Sequence, residues 1–201
     1  LTLKGFTGEY VGKCAAKLNA TWVKIQATAS GSGTVCDNPR FGDNGDGTVT
    51  DRLTRLQWEK KTNLGPSDPH DVVQRYTWTS GPAGETAADG TVFSVFLAGL
   101  NGACFASHCD WRLPSPAELA TIVSPPFPGC STPPCVVSEL GPAVANSYWT
   151  DTTAVYEPSP FTLGAGAYAE VVSFGGTWLY QAGVGALKSS LLYVRAVRAA
   201  P

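Results

Sequence analysis

The chain has few of the residues and motifs on which hydrolytic and metal chemistry depends. It contains two histidines and no methionine among 201 residues. Its six cysteines include no Cys-x-x-Cys pair, so zinc sites built on thiolates are not expected. It also lacks the Gly-x-Ser-x-Gly, His-Glu-x-x-His and P-loop motifs of serine hydrolases, zinc proteases and nucleotide-hydrolysing proteins. We therefore expect no catalytic residues and no enzymatic activity.

Long apolar runs and an excess of positive charge are absent as well. No apolar run approaches the 18 residues that a membrane-spanning helix needs. Only 15% of the residues are charged and the net charge is −2, so the chain has no general attraction to nucleic acid. Leucine at position 1, together with the lack of methionine, favours a processed chain whose signal peptide has been removed.

The cysteines form three pairs that are close in sequence. Six cysteines allow 15 disulfide connectivities, and we expect the local one. Disulfides form in oxidising compartments, so this pattern predicts a secreted or cell-surface protein. The expected pairs are Cys14 with Cys36, Cys104 with Cys109, and Cys130 with Cys135.

Composition and periodicity favour an α+β fold with long loops. The 22 glycines and 15 prolines indicate many turns. Residues 48–58 and most of the C-terminal third, at 169–174, 177–181 and 191–197, have the composition of strands. Residues 62–90 and 124–147 are polar or rich in proline and are predicted to be loops.

Three segments have a helical apolar period. A capping box is predicted at Ser115 and Glu118, with a helix beginning at Pro116. A second helix is predicted from Phe93 to about residue 100, ending at the Asn-Gly pair that follows. The apolar spacing over residues 8–28 predicts an N-terminal helix, although residues 21–27 also alternate as a strand would.

Four motifs, in the right order, resemble those of a known bacterial domain family. This is the domain of unknown function that includes the C-terminal domain of the Legionella collagen-like adhesin. The resemblance covers about residues 39–198 and implies a C-type-lectin-like fold, distantly similar to formylglycine-generating enzyme. It predicts a domain over 39–201 and an N-terminal extension over 1–38. The motifs are RFGDNGDGTVTD at 40–51, DWRLPSPAEL at 110–119, YWT at 148–150 and YVRAVR at 193–198.

The resemblance implies an extracellular or cell-surface adhesion module that binds a carbohydrate or a protein partner. The Legionella relative is associated with sulfated polysaccharides and trimer formation, but the net negative charge here argues against a sulfated ligand. An enzyme of the formylglycine-generating type is disfavoured, since no cysteine follows Cys135. A structural subunit of an extracellular filament or surface layer, and hence a homo-oligomer or polymer, is the alternative.

Two sets of candidate site residues follow. Aromatic residues of the C-terminal part could stack on a sugar or anchor a partner, namely Tyr156, Trp178 and Tyr180. Calcium is the one cofactor that the sequence leaves open, with oxygen ligands from Asp43, Asn44, Asp46 and Asp51. Their spacing does not match an EF-type loop, which favours a hydrogen-bonded turn instead.

The remaining polar motif residues are expected to be structural. The resemblance implies that Asp110 and Arg112 of DWRLPSPAEL bond locally and that Trp111 enters the core, and Glu118 is assigned to the helix cap. His70 and His108 both fall in predicted loops, where a lone histidine is more often a surface residue than a general base.

Overall fold

The computed structural model describes residues 39–83, 85–124, 131–154, 166–175 and 185–201, and the backbone of three strands between residues 9 and 24. These three strands are β1 (Glu9–Val11), β2 (Ala15–Leu18) and β3 (Thr21–Lys24), paired antiparallel in the order β1-β2-β3. The helix predicted over residues 8–28 is therefore wrong. Three of the apolar residues that define its period, Tyr10, Leu18 and Trp22, lie in three different strands, so the spacing does not describe one element.

A second antiparallel sheet begins at the first family motif. Its strands are β4 (Phe41–Asp43), β5 (Thr48–Asp51), β6 (Leu56–Glu59) and β10 (Val197–Ala199), in the order β10-β6-β5-β4. The single strand predicted over 48–58 is instead a hairpin. Its turn at residues 52–55 places Arg55 at a positive φ of 57°.

The third sheet comprises β7 (Ser147–Thr153), β8 (Tyr168–Ser173) and β9 (Gly185–Leu187), in that order. The strand predicted at 169–174 is confirmed with a shift of one residue. Of the strand predicted at 191–197, only Val197 belongs to β10, while Leu192 and Tyr193 form isolated bridges to Tyr76 and Tyr148. The strand predicted at 177–181 lies outside the described residues.

Both helices predicted in the family domain are confirmed. We call the first α1; it is π-helical over Val92–Leu97 and α-helical over Ala98–Gly102. The second, α2, is Pro116–Ala120 and begins with the predicted capping box. Ser115 Oγ accepts from Glu118 N at 3.2 Å, and Glu118 Oε2 accepts from Ser115 N at 2.8 Å.

Two large apolar clusters form most of the core of the described residues, and neighbouring residues of one strand enter different clusters. In β7, Tyr148 packs in the cluster with Leu119, whereas Trp149 packs in the cluster with Phe96. The last segment behaves similarly, with Val197 in the first cluster and Ala196 in the second. This two-residue alternation is expected where both faces of a sheet are covered. The expected core positions of Trp58, Trp111 and Trp149 are confirmed.

Candidate recognition surface

A short loop closed by a disulfide presents a strained backbone at the surface. Cys104 and Cys109 are bonded, as predicted, with their Cα atoms 4.3 Å apart. Three non-glycine residues of this loop have positive φ: Cys104 at 47°, Ala106 at 51° and Ser107 at 66°. A left-handed conformation costs a non-glycine residue about 1–2 kcal/mol. Backbone strain of this kind is concentrated at ligand clamps and other functional sites.

Phe105, inside the disulfide loop, brings two further loops together. Its ring centroid lies 4.2 Å from that of His70 and 5.3 Å from that of Trp111, and its carbonyl accepts from Trp111 Nε1 at 3.0 Å. A Cβ atom placed on Gly47 would lie only 3.1 Å from Phe105 Cζ, so the hairpin turn packs against the same ring. The surface formed by the turn 44–47, the loop 62–72 and the disulfide loop 104–109 is called here the three-loop surface.

The turn between β4 and β5 is held by its own polar side chains. Asp43 Oδ1 accepts from Gly45 N at 3.0 Å, and Asp46 Oδ1 accepts from Thr48 N at 3.0 Å. The hydrogen bond from the Lys60 ammonium to Asp43 holds the pKa of that carboxyl below its usual value. These contacts describe a hydrogen-bonded turn, the alternative that the spacing favours.

The structure does not bring together the four predicted calcium ligands. Asp51 lies at the opposite end of β5, where its carboxylate accepts from Arg40 Nε at 2.8 Å and from Thr54 Oγ1 at 2.8 Å. Burial raises the pKa of Asp51, but these hydrogen bonds outweigh burial and lower it. Within the described part of the chain, no group of three or more His, Cys, Asp or Glu side chains could hold a metal ion.

The loop 62–72 is compact and closed by backbone and side-chain bonds. Thr62 N donates to the His70 carbonyl at 3.0 Å, and Gly65 N donates to Asp71 Oδ2 at 2.6 Å. Leu64 is 79% exposed, which makes it the most exposed large apolar side chain of the described residues. Loops of this kind, packed by their own side chains, often carry function.

A buried carboxylate anchors this loop to the sheet. Glu59 Oε1 lies 2.8 Å from Lys61 Nζ and 2.9 Å from His70 Nδ1, and Glu59 Oε2 accepts from Ala196 N at 3.1 Å. Burial raises the pKa of Glu59, but the Lys61 charge and the His70 bond together hold it below its usual value. His70 was expected at the surface; its side chain is only 18% exposed because the loop folds back onto Glu59.

Arg195 has a structural role in the same region. Its fully buried guanidinium donates from Nη1 to the carbonyls of Glu59 at 2.9 Å and Leu140 at 2.8 Å, and from Nη2 to that of Pro142 at 3.2 Å. Burial lowers the pKa of Arg195. One side chain near the end of the chain therefore fixes two distant segments, at Glu59 and at residues 140–142.

Two of the three charged residues of the DWRLPSPAEL motif, Arg112 and Glu118, bond each other as expected, whereas Asp110 pairs with a residue 88 positions away. Arg112 Nη1 and Nη2 donate to the two oxygens of Glu118 at 2.8 and 2.7 Å. This pair lowers the pKa of Glu118 and supports the capping box. Asp110 accepts from Arg198 Nε at 2.7 Å, which ties the motif to β10.

Several predicted site residues lie outside the described residues. These are the aromatic candidates Tyr156, Trp178 and Tyr180 and the cysteines Cys14, Cys36 and Cys130. Cys135 is disulfide-bonded, and its predicted partner is one of those outside. The three-loop surface was not predicted as a unit. Its only sequence signals were the local cystine and the paired turn motif, because the contact through Phe105 joins segments that are far apart in sequence.

The charge of the three-loop surface is acidic. The formally charged residues in its three segments are Asp46, Asp68 and Asp71, with no lysine or arginine. Asp71 is buried, and its carboxylate accepts a hydrogen bond from its own loop. Asp46 is exposed and Asp68 is partly exposed. These carboxylates disfavour an anionic ligand such as a sulfated glycan at the three segments themselves, while the Lys60 ammonium lies beside the turn and bonds Asp43.

Comparisons with known proteins agree with the motifs. Searches of the curated proteins and of the solved structures gave no significant match for this chain. Among the described residues no helix has the length and apolarity to cross a bilayer. The Lcl C-terminal domain family, by contrast, matches residues 47–198, which is most of the chain. The match includes the loops 62–72 and 104–109 of the three-loop surface and begins at the last residue of its turn 44–47. The chain is thus a member of the Lcl C-terminal domain family.

Proposed function

We propose that this protein is a non-enzymatic, extracellular binding domain of the adhesin type, which contacts a carbohydrate or a protein partner through the three-loop surface. The observation that carries the proposal is the convergence of three loops on Phe105, one of them strained and closed by a disulfide. The disulfide supports export to an oxidising compartment. Family membership supports an adhesin-related role at the cell surface.

The surface suits recognition because its loops are fixed before a partner arrives. His70 bonds the buried Glu59, and the disulfide constrains residues 104–109. Preorganised loops lose less conformational entropy on binding than mobile loops do. A C-type-lectin-like arrangement of two helices and small antiparallel sheets, which the family resemblance implies, presents its function on loops of this kind.

The buried and paired polar side chains of the kind found in enzymes bond one another and stabilise the fold. Glu59, Lys61 and His70 bond one another, and Arg112 bonds Glu118. A calcium ion at Asp43 and Asp46 would have to compete with the bonds these carboxylates make to Lys60 and Thr48. These arrangements favour binding over catalysis as the proposed activity.

The proposal is tested with an array of neutral, sialylated and sulfated glycans and of extracellular-matrix glycoproteins. Leu64→Arg places a bulky cation on the three-loop surface with little effect on packing, since Leu64 is 79% exposed. Leu191→Arg is the matched control, because this leucine is 52% exposed and belongs to none of the three loops. We expect Leu64→Arg to lose binding and Leu191→Arg to retain it, with and without EDTA.

Equal binding by both variants would refute the three-loop surface as the recognition site. Size-exclusion chromatography of the wild-type protein tests the structural alternative in parallel. A discrete monomer or small oligomer is expected, whereas an open-ended polymer would favour a filament subunit over an adhesion module.

A further inference from the structure

A cleft of about 720 Å³ lies at the other end of the β4–β5 hairpin, beside Arg40 and Phe41. Its volume is within the range of about 300–1,000 Å³ that is usual for small-molecule sites. The far wall is formed by the end of α2 and by residues 136–139. Because β4 and β5 pair Phe41 with Asp51 at this end, the cleft is remote from the turn 44–47 of the three-loop surface.

The cleft combines an apolar lining with hydrogen-bonding groups of both kinds. Val123 and Val136 line it and are only partly buried against the core beneath. Ser138 and Glu139, both exposed, supply a hydroxyl and a carboxylate. Arg40 supplies the donors. An apolar lining with a few oriented polar groups is the usual composition of a ligand site.

The guanidinium of Arg40 is held in place by hydrogen bonds, but not all of its donors are paired. Nε donates to Asp51 Oδ1 at 2.8 Å, and Nη2 donates to Asp51 Oδ2 and to the Thr121 carbonyl at 3.1 Å. Within the described part of the chain, Nη1 has no hydrogen-bond partner. Arg40 also lies 4.5 Å above the Phe41 ring, and its side chain is 35% exposed. The cleft therefore contains a guanidinium that is held in place by Asp51, by the Thr121 carbonyl and by the Phe41 ring.

The charges of the cleft select the class of ligand. The positive charge of Arg40 is compensated by the buried carboxylate of Asp51. Glu139 makes no ion pair with any described residue; its one hydrogen bond comes from the neighbouring Ser138 hydroxyl at 3.1 Å. The two charged residues of the lining, Arg40 and Glu139, thus have opposite signs, and Asp51 behind the lining already neutralises Arg40. A sulfated or sialylated ligand would meet the Glu139 carboxylate, which disfavours it. The guanidinium of Arg40, whose side chain is 35% exposed, disfavours an ammonium group.

We propose that this cleft is a second binding site, specific for a neutral, polyhydroxylated ligand such as an uncharged sugar. Neighbouring sugar hydroxyls each donate and accept, so they can pair with the Glu139 carboxylate and the Arg40 guanidinium at once. The C–H face of the sugar ring packs on Val123 and Val136. The site does not depend on the three-loop surface, so either proposal can fail without the other.

The test uses the neutral, sialylated and sulfated glycans of the same array, followed by titration of the bound glycans by calorimetry. Glu139→Ala removes the acceptor, and Ser138→Trp fills the cleft. Glu85→Ala is the matched control, since Glu85 is also an exposed glutamate but lies in the 80–90 loop, outside the cleft. Melting temperatures of the three variants are compared with that of the wild type.

Binding of one or more neutral glycans is expected, at least tenfold weaker in Glu139→Ala and abolished in Ser138→Trp. Glu85→Ala should bind them as the wild type does. Neutral glycans that bind equally well to the cleft variants would overturn the proposal while leaving adhesion through the three-loop surface intact. Binding of sulfated or sialylated glycans alone, or of no glycan, would overturn it as well.

Discussion

Replacing Glu59 by glutamine should destabilise the fold strongly, although the two side chains have nearly the same shape. The Glu59 carboxylate is fully buried and neutralises the Lys61 ammonium 2.8 Å away, whose side chain is 3% exposed. Glutamine removes the negative charge and leaves that ammonium buried without a counter-ion. Breaking a buried pair in this way costs about 3–5 kcal/mol. The free energy of unfolding should fall by that amount.

A double-mutant cycle separates the charge from the packing. Lys61→Met removes the ammonium and keeps an unbranched apolar chain, so Glu59→Gln combined with Lys61→Met should recover most of the loss. The free energies come from urea unfolding followed by tryptophan fluorescence. A loss below about 1 kcal/mol for Glu59→Gln, or a double variant no more stable than the single one, would show that the pair does not control stability.

The same substitution predicts a change in acid stability. The folded-state pKa of Glu59 is lower than its usual value of 4.5, so the unfolded chain binds more protons just below that pH. The stability contributed by Glu59 is present above pH 4.5 and is lost as the pH falls through the folded-state pKa. The stability difference between wild type and Glu59→Gln should therefore shrink below pH 4.5. A difference that is constant with pH would contradict this account.

Three further predictions concern local features of the fold. Ser115→Ala and Glu118→Ala each remove half of the capping box and should lower stability by about 1 kcal/mol without loss of binding; unchanged stability with lost binding would place these residues in a functional site. Replacing Cys104 and Cys109 by serine should cost about 2 kcal/mol on the chain-entropy account and should weaken binding at the three-loop surface, whereas unaffected binding would make that disulfide purely structural. Trp149→Phe removes a buried indole N–H and should destabilise by about 1–3 kcal/mol in thermal unfolding, with Leu191→Phe as an exposed control that should change little.

Local features of the fold were predictable because they depend on neighbouring residues. The capping box of α2 needs only Ser115 and Glu118 three positions apart, and the disulfide loop needs only Cys104 and Cys109. The helical spacing of the apolar residues between 93 and 100 predicted the α1 helix. The N-terminal strands were misjudged because Tyr10, Leu18 and Trp22, spaced as on one face of a helix, lie in three separate short strands.

The candidate sites, in contrast, depend on contacts between distant segments. His70 was expected at the surface, and only the return of the loop 62–72 to Glu59 makes it an anchor. Asp51 was grouped with Asp43 on sequence proximity, but β5 carries it to the opposite end of the hairpin and pairs it with Arg40. Residues close in sequence can therefore lie far apart in space when an extended strand separates them.

The sequence by itself determined the family, the α+β class, the two helices of the family domain and one local disulfide, because each is encoded within a short stretch of chain. The tertiary structure alone decided which polar residues meet. It paired Glu59 with His70, gathered three loops around Phe105, and opened the cleft beside Arg40. Such contacts arise from how the sheets and loops pack together, and no local pattern of residues specifies that packing.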